Sequence, residues 1–568
     1  MTKQFLMKKT ALLLLLICFS ICTQAQSILG GKVSGNFQID MQMSKEDSVI
    51  GSEKVREKFL SNAFANINYN AGDFSAGFRF ESYLNPILGF DNQYKGSGIP
   101  YRWASYKKDY LEVTVGNYYE QFGNGLVFRA YEERNLGLDN AMDGLRIVAK
   151  PLSGLTIKGI IGKQRYYWED IWKTDNGLVR GLDAEISLNE LFPALREKPT
   201  RLNIGGSFVS VYEKSEARFV NFGDTLYRME IPENIGAAAF RFDLSHKAFS
   251  LSAEYARKGQ DPNAVNNYIY RKGEAFLLKT AYSIKGFAVS LEAKRIDNMS
   301  FKSKRAEVGN MLNINYLPAI TRQHSYSLMA MYPYATQVNG EMGLQFDVMY
   351  KVKKNTLLGG KYGTNLKLNY SRVHSIKQNP VDGYDLNQSG TEGYTSSFFK
   401  LGDDLYFEEI NFEINKKLSR DFKLNLMYSY QSFNPIAFGH PEDKNIYANI
   451  FVVDGTYKIN RNHSLRGEVQ WLLCEQNYGE WAKGDWLQLT AEYNFAGKWF
   501  LAIGDQWNYG NENEEKVHYY NVSLGSTYKT TRVALSYGKQ RSGIMCIGGV
   551  CREVPASNGL FVTISSSF

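Results

Sequence analysis

Six histidines and five cysteines are the side chains with which this chain could build a metal site or an activated nucleophile. The histidines at 246, 324, 374, 440, 463 and 518 are scattered, and none stands at metal-ligand spacing or beside a nucleophile-elbow sequence. No catalytic residue, cofactor or metal is therefore expected, and no enzymatic activity, with a barrel hydrolase, whose Ser/His or Asp/His site would be assembled from separate strands, as a third reading. Gly123 and Gly125 do not form a phosphate-binding loop, because no Lys-Ser or Lys-Thr follows them. Cys546 and Cys551 flank Ile-Gly-Gly-Val, close enough to close a small loop by a disulfide in an oxidising compartment. Cys474 is left without a role.

Two segments carry polar and aromatic groups in numbers that an ordinary turn does not need. The first, 120–141, holds Glu120, Arg129, Glu132, Glu133, Arg134 and Asp139, charges of both signs that could pair with residues such as Glu254, Glu292, Lys294 and Lys423. Such pairs would be screened less inside a narrow lumen than on a surface. The same residues also suit an exposed, solvated loop, and the spacing leaves both readings open. The second, 298–339, brings Leu317-Pro318, His324, Tyr326, Tyr332, Pro333 and Tyr334. Its tyrosines could line a ligand path. Packing of this loop against a barrel mouth is the plainer reading and the one preferred here.

The elements that must position these segments are strands. Apolar and polar residues alternate strictly in stretch after stretch, as in Phe249, Leu251, Ala253 and Tyr255 against Ser250, Ser252 and Glu254. Phe287, Val289 and Leu291 repeat the pattern, as do Phe422 to Tyr430 and Leu487 to Phe495. A strand that shows lipid one face and a lumen the other must alternate in this way. Soluble sandwiches and propellers alternate too, but here the connections also alternate between short and long, as membrane barrels require. Short turns are expected at Asn70-Ala71-Gly72-Asp73, Lys285-Gly286, Lys353-Lys354-Asn355 and Lys529-Thr530, and long loops at 44–57, 85–99, 120–141, 214–232, 375–402 and 542–558. The connection from Glu190 to Pro199 breaks the rule, being long where a short one is due. An even number of strands places both termini on one side, so the stretch Pro318 to Tyr334 is discounted as a strand. The count is then about 24, within about 22 to 26, in one antiparallel transmembrane β-barrel.

The chain ends agree. Lys3, Lys8 and Lys9 precede the apolar run Ala11 to Ile17 and then Thr23-Gln24-Ala25, the order of a secretory signal, so cleavage is expected between Ala25 and Gln26. This divides the chain into a signal peptide, 1–25, and a barrel, 26–568. The apolar run is about half the roughly 20 residues a spanning helix needs. The last strand puts Leu560, Val562, Ile564 and Phe568 on one face and stops on an aromatic residue, a pattern that resembles the signal read by the barrel-assembly machinery.

Composition fits the same architecture. Aromatic residues make up 14% of the chain, with 38 tyrosines, as girdles at two membrane interfaces require. A mean hydropathy of -0.35 excludes a helical membrane bundle. Removing the three leader lysines from 66 basic residues leaves 63 against 58 acidic ones, a balance of +5 that gives no reason to expect nucleic acid. A lumen this wide would leak if empty. The first strand is expected near Lys32, which leaves no N-terminal plug of the kind TonB-dependent transporters carry, so inward-folded loops or a partner must fill it.

The segment Gly116-Asn-Tyr-Tyr-Glu120-Gln-Phe-Gly-Asn-Gly-Leu126, continuing through Arg129, Tyr131-Glu132, Arg134 and Leu136-Gly137, with Gly359-Gly-Lys-Tyr-Gly363 and the Phe568 terminus, resembles a family of outer-membrane barrels from Bacteroidota whose function is unassigned. The resemblance implies location in the outer membrane among its lipids and brings no substrate or site residue. The expected function is a channel or transport barrel for small solutes or an apolar ligand, gated by lumen loops. The alternative is a plugged docking barrel that binds a surface or periplasmic lipoprotein or an outer-membrane assembly.

Overall fold

The computed structural model describes residues 27–28, 30–170, 173–440, 445–475, 484–512 and 516–568. Ala25, Gln26 and the rest of the expected signal peptide lie outside the described residues. Each alternating stretch forms a strand paired antiparallel with its neighbours in sequence, and 24 strands close into a barrel. A two-residue strand, Ser27–Ile28, folds back on the first of them, Gly31–Lys45. The ring closes where Gly31–Lys45 pairs with the last strand, Ser557–Ser567, from Asn36 opposite Ser567 to Lys45 opposite Asn558. Closure satisfies every edge, which a backbone surrounded by lipid needs. Between Asp297 and Gly340 no strand enters the barrel wall, so the segment discounted as a strand does leave the ladder.

Side chains on the outer face are apolar and exposed, as at Leu182 and Phe208, which face each other across two strands, and at Phe240 and Ile503. On the inner face polar residues dominate near the short-turn rim. Toward the long-loop rim the inner face turns apolar and buried, as in Ile235, Ala237 and Ala239 of one strand. That switch marks where something packs inside.

Two connections differ from expectation, and a third is long as expected. Residues 375–402 are mostly ladder, because strands Thr364–Pro380 and Tyr394–Lys417 stay paired out to Pro380 opposite Tyr394. Register shifts between Val373 and Gln378 break the alternation by which that extension would have been recognised. The turn at Lys353-Lys354-Asn355 is longer than a tight turn, since the next strand starts only at Thr364. Asn355, Gly360 and Gly363 take positive φ there, and Asn355 N donates to Gly360 O at 2.6 Å. The long connection near Glu190 is compacted by a helical turn, Leu188–Leu191, and by Asn189, whose side chain donates to Leu195 O and Thr200 O.

At the seam, Gly35 N donates to Phe568 O at 3.0 Å and Phe568 N returns a bond to Gly35 O at 2.9 Å. A Cβ on residue 35 would sit 2.5 Å from Asn66 O and 2.7 Å from the Phe568 ring. Gly35→Val is therefore expected to cost about 1–3 kcal/mol by overpacking. It should lower the fraction of protein that migrates as a heat-modifiable folded band.

Candidate functional site

Segment 119–141 turns into the lumen at Tyr118. Phe122, Leu126, Val127 and Phe128 are buried and pack on the apolar part of the inner wall, including Val179, Val209, Val211, Ile235 and Leu277. Two glycines make the turn. Gly123 has φ +53° and a Cβ there would lie 2.6 Å from the Glu254 carboxylate, which accepts bonds from Asn124 N at 2.7 Å and Asn124 Nδ2 at 2.8 Å. Gly125, at φ +94°, donates to Phe122 O at 2.9 Å. Without side chains at these points the loop can press its backbone against the wall.

Charge fixes the same loop at a second place. Asp139 accepts from Arg165 Nη1 at 2.6 Å and pairs with Arg79, while Glu81 accepts from Arg79 Nε at 2.6 Å and from Arg165 Nη2 at 2.7 Å. None of these four side chains is more than 7% exposed. Tyr119 donates to Asp139 at 3.0 Å, and Glu132 reaches Arg79 at 3.1 Å and Arg134 at 2.7 Å. Burial alone would raise the Asp139 carboxyl, but Arg165 and Arg79 overcome it and hold it below the usual carboxylate range. Glu120 is held low in the same way: burial opposes, and Lys158 at 2.8 Å and Arg146 at 2.7 Å prevail.

Segment 298–339 enters beside it and crosses the lumen. Arg322 pairs with Glu413 at 2.7 Å, His324 Nε2 meets Glu409 at 2.7 Å, and Tyr326 donates to Asp454 at 3.0 Å. Leu328 N donates to Gln470 at 2.9 Å, and Ser327 bonds Gln488. These partners are inward-facing residues of four wall strands between Tyr394 and Phe495, so the loop is a plug rather than packing at the mouth, and the preferred reading of this segment is corrected. Its backbone also had to be buried, and Asn315 answers part of that demand by donating to Leu126 O and Met299 O.

The two loops form one body. Arg129 N donates to Ile314 O at 2.8 Å, and Tyr316 N donates to Gly125 O at 2.9 Å. The Arg129 guanidinium lies over the rings of Tyr131 and Tyr316, 4.2 and 4.0 Å from their centroids. A hairpin of Gly543–Ile547 and Val550–Val554 covers them, its strands joined by a disulfide between Cys546 and Cys551. Ala319 N and Thr336 N donate to Gly548 O and Gly549 O at its tip.

Of the charged loop residues, Glu120, Glu132, Arg134 and Asp139 thus make ion pairs, Arg129 stacks, and Glu133 accepts from Asn135 N at 3.3 Å. Of the four wall residues named from the sequence, Glu254 binds the first loop. Lys294 instead pairs with Glu341 and donates to Pro318 O at 2.5 Å, and Glu292 pairs with Lys279 across the wall at 3.4 Å. No bond joins Lys423 to the plug among the described residues; its ladder partners are Lys417 and Thr456. Arg79, Glu81, Arg165, Arg146 and Lys158 escaped sequence reasoning. The available signal was charge on the inner face next to the apolar switch, but which loop charge meets which wall charge is set only by the inward fold.

The plug does not fill the lumen evenly. Inner-face residues under it are buried, as are Ser429, Gln431 and Gln470, whereas Thr490, Ala502, Gly504, Asn521 and Ser523, on strands between Trp486 and Tyr528, keep solvent contact. A cavity of about 890 Å³ lies there, between that wall, the plug and the disulfide hairpin. Tyr332 and Tyr334 line it; Tyr326 does not, being held by Asp454 and Asn425.

The profile of a family of unknown function, DUF6029, matches residues 7–568. No curated protein matches the chain. Among solved structures, the siderophore receptor PirA from Pseudomonas aeruginosa aligns over 94% of this chain and 80% of its own, at 9% identity and a TM-score of 0.39. The outer membrane transporter YddB from Escherichia coli aligns over the same shares, at 9% identity and a TM-score of 0.36. A mutant of the Rh. blastica porin aligns over 65% of this chain and 100% of its own, at 14% identity and a TM-score of 0.24.

Asp139→Asn leaves Arg79 and Arg165 with one shared carboxylate fewer in a buried setting. The local opening free energy of the plug should fall by about 3–5 kcal/mol, read as faster amide exchange over 119–141 while the ladder strands keep their protection. Because the folded Asp139 titrates below its unfolded value, its contribution is complete above the ordinary carboxylate pKa. It is lost only as pH falls through the lower, folded one. In the unaltered protein, exchange over this segment is therefore expected to stay slow from neutral pH down to roughly pH 4 and to quicken below it.

Proposed function

We propose, for a chain that belongs to the family of unknown function DUF6029 and takes no activity from that membership, a transport barrel of the bacterial outer membrane through which small solutes pass beside a plug made of the protein's own loops. The observation that carries this reading is the uneven filling of the lumen. One side is sealed by buried ion pairs and apolar packing; the other keeps polar, solvent-contacting side chains along strands from Trp486 to Gln540 and a cavity of about 890 Å³. A barrel required only as a scaffold gains nothing from leaving one sector of its inner wall unpacked.

Location rests on the ring itself. Its apolar outer face and closed ladder suit lipid, and its connections are mostly short at one rim and long at the other, as outer-membrane barrels have them. On this reading residues 1–25 are an export signal cut between Ala25 and Gln26, and the strand ending at Phe568 is what the barrel-assembly machinery takes up.

A docking role, with a lipoprotein or an outer-membrane assembly as partner, is the second reading. It draws on hairpins that project beyond the long-loop rim with exposed apolar side chains, Phe219, Leu226 and Tyr227 on one and Phe399 on another.

Planar-bilayer recordings of the purified protein separate the two. The transport reading expects small, stable conductance, and a marked increase when 120–141 is replaced by a short Gly-Ser linker. A silent barrel whose conductance does not change on that replacement would contradict it.

A further inference from the structure

Several cations that face the lumen are neutralised in place by carboxylates. Lys539 pairs with Asp47 at 2.8 Å, Arg322 with Glu413 at 2.7 Å and Arg466 with Asp454 at 2.8 Å. Arg541, just beyond the strand Thr531–Gln540, is different. Its guanidinium donates from Nη1 to Ser542 O at 3.2 Å, and among the described residues no carboxylate pairs with it. It stands near Tyr332 and Tyr519 on the border of the large cavity. Burial lowers its pKa, yet a guanidinium stays charged at neutral pH. A half-buried guanidinium without a carboxylate partner is a seat that a complementary ion can take.

Of the other charged residues on that border, Arg322 and Lys539 are paired with Glu413 and Asp47 as above, His324 meets Glu409 at 2.7 Å and Asp505 lies 2.6 Å from His518, which leaves Arg541 as the cation there without a carboxylate partner among the described residues. The same border holds the wall amides of Gln488, Gln506 and Asn521, the first two bonded to each other and to Ser327, and the plug side offers Tyr332 and Met545 as contact area. We propose that this cavity binds a small organic anion, its carboxylate or phosphate seated on Arg541 and its body lying between those amides and the Tyr332–Met545 side. Arg541 then makes the bidentate, charge-assisted contact for which a guanidinium is shaped. The proposal deepens the transport reading and rests on it for the way the anion reaches the cavity; binding itself is measurable without any current.

Isothermal titration of the full-length barrel in a non-ionic detergent, with glucose 6-phosphate and glucuronate as anionic probes and glucose as the neutral control, tests it. At least one anion should bind and glucose should bind much more weakly; which anion binds tells phosphate from carboxylate. Arg541→Gln should weaken anion binding about tenfold or more, and Arg541→Lys, which keeps the charge, should weaken it less. Absence of binding by both anions, or equal binding by the unaltered protein and Arg541→Gln, overturns the site. Bilayer conductance of the same proteins judges the passage separately. Arg541-dependent binding without conductance upholds the site and removes the route, whereas conductance without Arg541-dependent binding upholds the route and removes the site.

Discussion

A ring of 24 strands encloses more space than its inward side chains can fill, and the rest of this molecule answers that constraint. Segments 119–141 and 298–339 leave the ladder from the long-loop rim and occupy the upper lumen together. Gly123 lets the first of them lie against Glu254, and Tyr316 clasps the second to it through Gly125. The wall is written to match: where it meets the plug the inner face carries apolar patches, as at Ile235 and Ala237, and polar partners for the plug's own polar groups, such as Glu254 and Glu413. A barrel of few strands would need none of this, because its own side chains would meet across the axis.

Filling a lumen with folded chain brings charges away from water, and the structure handles them by pairing. Arg79, Glu81, Asp139 and Arg165 form a closed set in which each guanidinium meets both carboxylates. Such a set adds little net stability over an apolar equivalent, but breaking one member is expensive. Its effect is to define where the loop sits. The second segment is placed by a series of single contacts from Arg322 to Leu328, spread over several wall strands. What remains unfilled lies on the other side, and there the pairing of cations lapses at Arg541.

Much of the architecture was legible in the sequence because a two-faced strand has to alternate. The strand count, the closed ring, the even parity and the departure of 298–339 from the ladder follow from that one rule with turn lengths added. It failed where local geometry hid the pattern. Bulges between Val373 and Gln378 disguised an extended hairpin as a loop, and Gly360 and Gly363 let a connection run on past an expected tight turn. The site was less legible. Loop charges such as Asp139 announce themselves, but their partners Arg79 and Arg165 look like any lumen-facing residue until the loop is known to fold inward. For the second segment the tyrosines were visible and their burial was not, because the Pro-rich, aromatic stretch suits a rim as well as an interior. Unfilled space has no sequence signature at all, which is why the cavity beside strands Trp486 to Gln540 came only from the structure.

These features give a lumen packed with loops on one side and less filled along the other, and labelling from water reports that asymmetry directly. With Cys474 replaced by serine, single cysteines at Ser429 and Ser523 would both point inward, one beneath the plug and bonded to Glu409, the other on the uncovered wall. Treated in lipid vesicles with a membrane-impermeant thiol reagent, Ser523→Cys should react readily and Ser429→Cys should stay protected until the protein is unfolded. Equal reactivity at the two positions would mean that the loops do not fill the lumen as described, and the side passage would lose its basis.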